Sequence, residues 1–248
     1  MTYCLAIHVN KGLVFASDSR TNAGVDYVST FSKMSRFCWP GDRSLIIVTS
    51  GNLATSQAVI NKVHTDLEAD DGRTNLKNVK HLFDAAHYIG RLSQEEQSQH
   101  AEAMKQSKLS GESSFIIGGQ IGEHDPGIYQ VYPQGNYINA SPETPYLQIG
   151  ETKYGKPILD RIITPATTLE DAARCALVSL DSTIRSNISV GPPLELAVYE
   201  AGSLDEPRHM KLSLNSPLYK STQKRWNEGL HRAFLRLPKF EWEKESGE

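Results

Sequence analysis

What this chain lacks narrows its function first. No apolar run approaches the roughly 20 residues needed to span a bilayer, so no membrane-spanning helix is expected. Its 26 Lys and Arg stand against 29 Asp and Glu, a formal net charge of -3. That balance offers no electrostatic attraction to nucleic acid or to an anionic membrane surface, and neither is expected as a partner. Cysteines are few: Cys4, Cys38 and Cys175 are odd in number and form no CxxC pair. They imply neither a disulfide framework nor a zinc knuckle, and they fit a reducing cytoplasm. The eight histidines are scattered, and His81 and His87 are spaced so that they do not share a helix face; no metal and no cofactor are expected. The segment MTYCLAIHVNKG has no basic leader and too short an apolar run for a secretory signal. It is expected to be retained, apart from Met1. There is no fixed-period repeat, low-complexity linker or compositional break, so residues 1–248 are read as one domain.

What is present reads as two groups of strands, each followed by helices. Thr2 to Val9 and Gly12 to Ala16 form an opening hairpin that ends on Ser17-Asp18-Ser19, followed by turn chemistry at Thr21 to Gly24. Lys33 to Trp39 is a further strand. Ser44 to Thr49 is short, β-branched and nearly all apolar, as suits an interior strand covered on both faces. Leu53, Ile60, Val63 and Leu67 place one helix, and a second is expected from Leu76 to about Lys108 with a polar second half. Ser113 to Ile121, Ile128 to Tyr132, Asn136 to Ile138 and Tyr146 to Gly150 are strands. A helix is expected from Lys153 to Ile163, and another opens on a capping box, Thr167 with Glu170, and runs to Ser186-Asn187. Leu194 to Tyr199 and Lys211 to Leu214 are late strands, Lys220 to Leu237 is a terminal helix, and the last residues, EWEKESGE, are expected to fray. Segregated strands and helices argue α+β rather than alternating α/β.

Two features carry chemistry. Removal of Met1 would give Thr2 both a hydroxyl nucleophile and a free α-amine, one of the ways a weak nucleophile is activated. Without that step Thr2 is an ordinary first-strand residue. Ser50-Gly51-Asn52 passes from strand to helix, where unpaired backbone N–H groups can face an anion; as an alternative, Gly51 is only a turn residue.

Taken together, the N-terminal Thr2, the GLVFASDSR segment with Asp18, Lys33, the VTSG turn at Val48 to Gly51 and IGETKYGKPILD at Ile149 to Asp160 resemble proteasome β-subunits among the N-terminal-nucleophile hydrolases. The opening MTYC, FASDSRTNAGVDY and LDSTIRSNISVGPP are closer still to Anbu, the bacterial ancestral β-subunit family. The resemblance implies a four-layer αββα sandwich and a homo-oligomer in an open spiral or ring. It implies a threonine-type hydrolase of peptide or amide substrates, with Thr2 as nucleophile, Lys33 tuning it, Asp18 as partner of Lys33, and the Gly51 N–H as oxyanion donor. The chain departs from the proteasome pattern in two places. Glu151 stands where a serine belongs to the catalytic network, and Ser186 stands where a supporting aspartate is usual, while Ser189 is kept. Glu151, Ser186 and Ser189 are therefore only supporting candidates, and a catalytically weak assembly scaffold is the alternative function. No motif specifies an unfoldase partner.

Overall fold

A computed structural model describes residues 2–22, 28–69, 71–107 and 110–245. In chain order its elements begin with β1 (Tyr3–Val9), β2 (Gly12–Asp18), β3 (Arg20–Asn22), β4 (Val28–Thr30), β5 (Met34–Trp39) and β6 (Arg43–Gly51). Helices α1 (Leu53–Glu68) and α2 (Leu82–Gln106) follow, then β7 (Ser113–Ile121), β8 (Gly127–Val131), β9 (Tyr137–Asn139) and β10 (Tyr146–Gly150). The remainder is α3 (Lys156–Ile162), α4 (Leu169–Ser186), β11 (Leu194–Glu200), β12 (Arg208–Leu212), α5 (Pro217–Phe234) and α6 (Glu241–Glu245).

Two five-stranded antiparallel sheets, ordered β10-β1-β2-β11-β12 and β5-β6-β7-β8-β9, are stacked on each other. The strand pleat sorts their side chains into three apolar layers. Tyr3, Leu5 and Ile7 of β1, with Val14 and Ala16 of β2, pack against α3 and α4. Cys4, Ala6, Leu13 and Phe15 point the other way and meet Ile46, Val48 and Ile116 of the second sheet. Leu45, Ile47, Phe115 and Ile117 cover that sheet's outer face against Val59, Val63, Ala85 and Ile89 of α1 and α2. The result is the four-layer αββα sandwich. Because both faces of the inner strands are covered, they read as unbroken apolar runs, and β6 is the interior strand its composition predicts.

Several boundaries differ from expectation. The helix expected from Leu76 starts only at Leu82, with His81 as N-cap; Leu76 and Val79 enter the outer core from irregular backbone clamped by Arg43, whose guanidinium donates to Leu76 O at 3.1 Å and Val79 O at 2.8 Å. Apolar spacing alone could not reveal that clamp. The helix expected over Lys153 to Ile163 is confined to Lys156–Ile162, and α4 is capped by Thr168, which accepts the Asp171 N–H, one residue later than the expected box. The strand expected at Lys211 to Leu214 is Arg208–Leu212, pinned by its register on β11. The terminal helix begins earlier, at Pro217, because proline suits a first helical turn, and part of the tail expected to fray forms α6. β2 continues past Ala16 to Asp18, so Asp18 is held by a strand rather than a turn. Of the turn expected at Thr21 to Gly24, Ala23 and Gly24 lie outside the described residues, as does Met1. No helix among the described residues is long and apolar enough to cross a membrane.

Candidate active site

β1 begins at Tyr3, which leaves half-buried Thr2 at the open end of the first sheet. Its backbone is gripped from both sides. Thr2 O accepts the Glu151 N–H at 2.7 Å, and the neighbouring Tyr3 N–H donates to Asp18 Oδ1 at 3.1 Å. Gly150 permits the first contact: its φ is +85°, and a Cβ there would lie 2.0 Å from Thr2 O.

Asp18 closes β2 and is fully buried. Its Oδ1 also accepts Lys33 Nζ at 2.7 Å, while Oδ2 accepts the N–H groups of Arg20 at 3.2 Å and Gly191 at 3.0 Å. Burial pushes the Asp18 carboxyl above its ordinary range, and the Lys33 cation, its hydrogen bond and the Gly191 and Tyr3 N–H groups oppose that shift. Lys33 is itself only 6% exposed and donates a second bond, to Arg20 O at 2.6 Å. Since one carboxylate oxygen receives both the ammonium and the Tyr3 N–H, the cation lies against the start of β1. Sequence positions 2, 18 and 33 thus become neighbours.

Gly51 closes β6 on the facing sheet. The Thr49 N–H donates to Lys33 O at 3.0 Å on the β5 side, and the Asn52 N–H to Glu112 O at 2.8 Å on the β7 side. Alternation along a strand therefore turns the Gly51 N–H to the side of Thr49, where Met34 is the first residue of β5 and ladder pairing has ended. The position requires glycine: φ is +105° and a Cβ would lie 2.4 Å from Glu112 O. Thr2, Thr21, Ser50, Gly51, Glu112, Ser114, Pro133 and Gly150 line one cleft of about 340 Å³. A second cleft of about 190 Å³ is lined by Phe31, Lys33, Met34, Thr49, Gln57 and Ile60.

The supporting candidates separate. Glu151 is nearly buried; besides holding Thr2 through its backbone, it accepts Asn187 Nδ2 at 2.8 Å. Asn187 Oδ1 in turn accepts the Ser189 N–H at 2.9 Å, so Ser189 joins this side of the site through its backbone. Ser186, the last residue of α4, is exposed and makes no side-chain hydrogen bond to the cluster among the described residues. Sequence reading missed Asn187, which links Glu151 to Ser189, and Gly191, whose N–H fixes Asp18. The segment TIRSNISVGPP contains both, but their partners, Glu151 and Asp18, lie far away in the chain, so the segment itself carries no signal of these contacts. Beneath Thr2, burial pushes the Cys4 thiol far above its usual range, and its S–H donates to Thr49 O at 3.4 Å. An inert packing role follows. Among the described residues no group of three or more His, Cys, Asp or Glu is arranged to hold a metal.

Two stacked antiparallel sheets between helical layers, with a threonine at the mouth, define a proteasome-type subunit, and the family model described as "Proteasome subunit" matches residues 2–199. Among solved structures, Anbu (ancestral beta-subunit) from Yersinia bercovieri is 41% identical with a TM-score of 0.91, covering 97% of this chain and 99% of its own. The Anbu complex from Pseudomonas aeruginosa, described as a helical assembly, is 46% identical with a TM-score of 0.91, covering 96% and 98%. Anbu from Hyphomicrobium sp. strain MC1 is 38% identical with a TM-score of 0.88, covering 97% and 100%. The chain belongs to this Anbu family of proteasome-like proteins. No curated protein matches it.

Proposed function

We propose that the chain is an N-terminal threonine hydrolase of peptide or other amide bonds, active once Met1 is removed. The observation that carries this reading is the single oxygen, Asp18 Oδ1, shared by Lys33 Nζ and the Tyr3 N–H, which fixes a buried cation against the residue that follows Thr2. A free α-amine has an ordinary pKa of about 7.7 to 8, and a neighbouring ammonium lowers it by repulsion. The neutral amine takes the proton of the Thr2 hydroxyl as the oxygen attacks the substrate carbonyl. The Gly51 N–H receives the tetrahedral oxyanion, an interaction worth about 3 to 4 kcal/mol. The C–N bond then breaks, the leaving amine takes the proton, and a Thr2 ester remains. Water activated by the same amine attacks that ester, releasing the carboxylic acid and restoring the hydroxyl. Lys33 stabilises the developing charge, and Asp18 keeps Lys33 charged and oriented.

The protein acts as a homo-oligomer in the cytoplasm. In support, the Pseudomonas aeruginosa relative is described as a helical assembly, and the C-terminal segment exposes a series of large apolar side chains, Leu218, Leu230, Phe234, Leu235, Leu237 and Phe240. Such a surface is usual where partners bind. The second reading, a scaffold with a silent nucleophile, is favoured by one observation: nearly buried Glu151 stands where the proteasome pattern has a serine of its catalytic network.

Mass spectrometry after exposure to a threonine-directed electrophile tests the choice. The hydrolase reading expects one adduct per Met1-free chain, on Thr2, and none on Thr2→Ala or on a chain that keeps Met1. Met1-free protein that stays unlabelled would establish the scaffold instead.

A further inference from the structure

Building on the nucleophile reading, we propose that Glu112 selects substrates bearing a cation, so that the enzyme takes amides with a primary ammonium or guanidinium group close to the scissile bond. The charges around the cleft lead there. Lys33 is buried and neutralised by fully buried Asp18, and the Thr2 amine must be neutral to act as base. Of the eight described residues lining the Thr2 cleft, Glu112 alone has an ionisable side chain. It is exposed, and its carboxylate forms no ion pair or hydrogen bond among the described residues.

Its backbone, by contrast, is fixed. Glu112 O accepts the Asn52 N–H at 2.8 Å, and its own N–H donates to Ser110 Oγ at 3.2 Å. Asn52 directly follows Gly51, and Gly51 pairs with Ser113, so the carboxylate is anchored one residue from the strand pair that holds the oxyanion donor. The rest of the lining suits an ammonium too. Thr21, Ser50 and Ser114 add hydroxyl-bearing residues to the same lining. An ammonium carries three donors and no acceptor, which a carboxylate and hydroxyl oxygens can satisfy. A neutral substrate would shield Glu112 from water without replacing its hydration, and an anionic one would be repelled.

The test uses two peptide epoxyketones, identical except for lysine or norleucine at the residue bearing the reacting carbonyl, on the full Met1-free chain. The lysine reagent is expected to label Thr2 about tenfold faster, a modest ratio because the carboxylate is solvated. In Glu112→Gln the ratio falls to about one, and rising salt reduces it in the wild type. Equal rates in the wild type, or a lysine preference unchanged in E112Q, would overturn the proposal. If neither reagent labels Thr2, the nucleophile reading fails separately. Calorimetric binding of the two peptides as unreactive amides, to wild type and E112Q, then decides the charge preference: tighter lysine binding that needs Glu112 upholds it, and equal binding rejects it.

Discussion

Two carboxylates flank Thr2, and they are held by different physics. Asp18 is fully buried with an ammonium at 2.7 Å and three backbone donors. Glu151 is nearly buried too, but its close partner is a neutral amide, Asn187 Nδ2 at 2.8 Å, and its cation, Lys153 at 3.5 Å, is largely in solvent. Taking two charges out of water is costly and is repaid only where geometry and additional hydrogen bonds are good. The Asp18 side meets that condition and keeps a cation beside the start of β1. The Glu151 side works mechanically: its N–H holds Thr2 O, and its carboxylate ties that strand end to the segment after α4. Similar burial therefore serves an electrostatic task on one side and a positioning task on the other.

Removing a cation from each side separates the two most strongly. Lys33→Met leaves the buried Asp18 carboxyl without its cation and should cost about 3–5 kcal/mol in urea unfolding, while labelling of Thr2 falls to the background of Thr2→Ala. Lys153→Met, which removes the exposed partner of Glu151, should change stability by about 0–1 kcal/mol and leave labelling intact. Equal losses would erase the distinction. Gly51→Ala comes next. Its Cβ would lie 2.4 Å from Glu112 O at a φ of +105°, so the N–H must move, and labelling should slow about a hundredfold with the Asp18–Lys33 pair intact.

Acid should reveal the electrostatic side by its slope. Below the amine pKa the logarithm of the labelling rate should fall with unit slope, because the amine must be neutral. Once Asp18 takes up a proton the slope should steepen, and burial raises that point above the pKa of about 3.9 of an ordinary aspartate. The folded chain then binds this proton at higher pH than the unfolded chain does. Asp18's contribution to stability is therefore fully present below the ordinary pKa and is lost as pH rises through the raised one. Inactivation in acid should accordingly precede unfolding in paired activity and circular-dichroism titrations. The smallest effect belongs to the mechanical side. Asn187→Ala removes the bonds to Glu151 and Ser189 and should cost about 1 kcal/mol, or about fivefold in labelling, without changing the pH profile.

Where a segment's placement depends on its own composition, the sequence was readable. Ser44 to Thr49 announced an interior strand because both its faces are apolar, and Thr2, Asp18, Lys33 and Gly51 stood out in segments of recognisable type. Roles that depend on partners were hidden. Ser186 and Ser189 were both only supporting candidates, one a departure from the pattern and one kept, and Ser186 ends α4 in solvent while the Ser189 backbone is drawn to Asn187. Leu76 and Val79 matched a helix by spacing, but the Arg43 clamp holds them in irregular backbone.

By itself the sequence determined the layers and the candidate groups: alternating or doubly apolar runs fix which strands are covered, and positions 2, 18 and 33 supply the hydroxyl, carboxylate and ammonium of the proposed site. Only the tertiary structure decided how those groups meet. Stacking the two sheets brings Lys33 to the oxygen that also holds the Tyr3 N–H, and because β5 begins only at Met34 its ladder with β6 stops short of Gly51. Both depend on which residues lie opposite one another across strands, a property of register that no single stretch of chain contains.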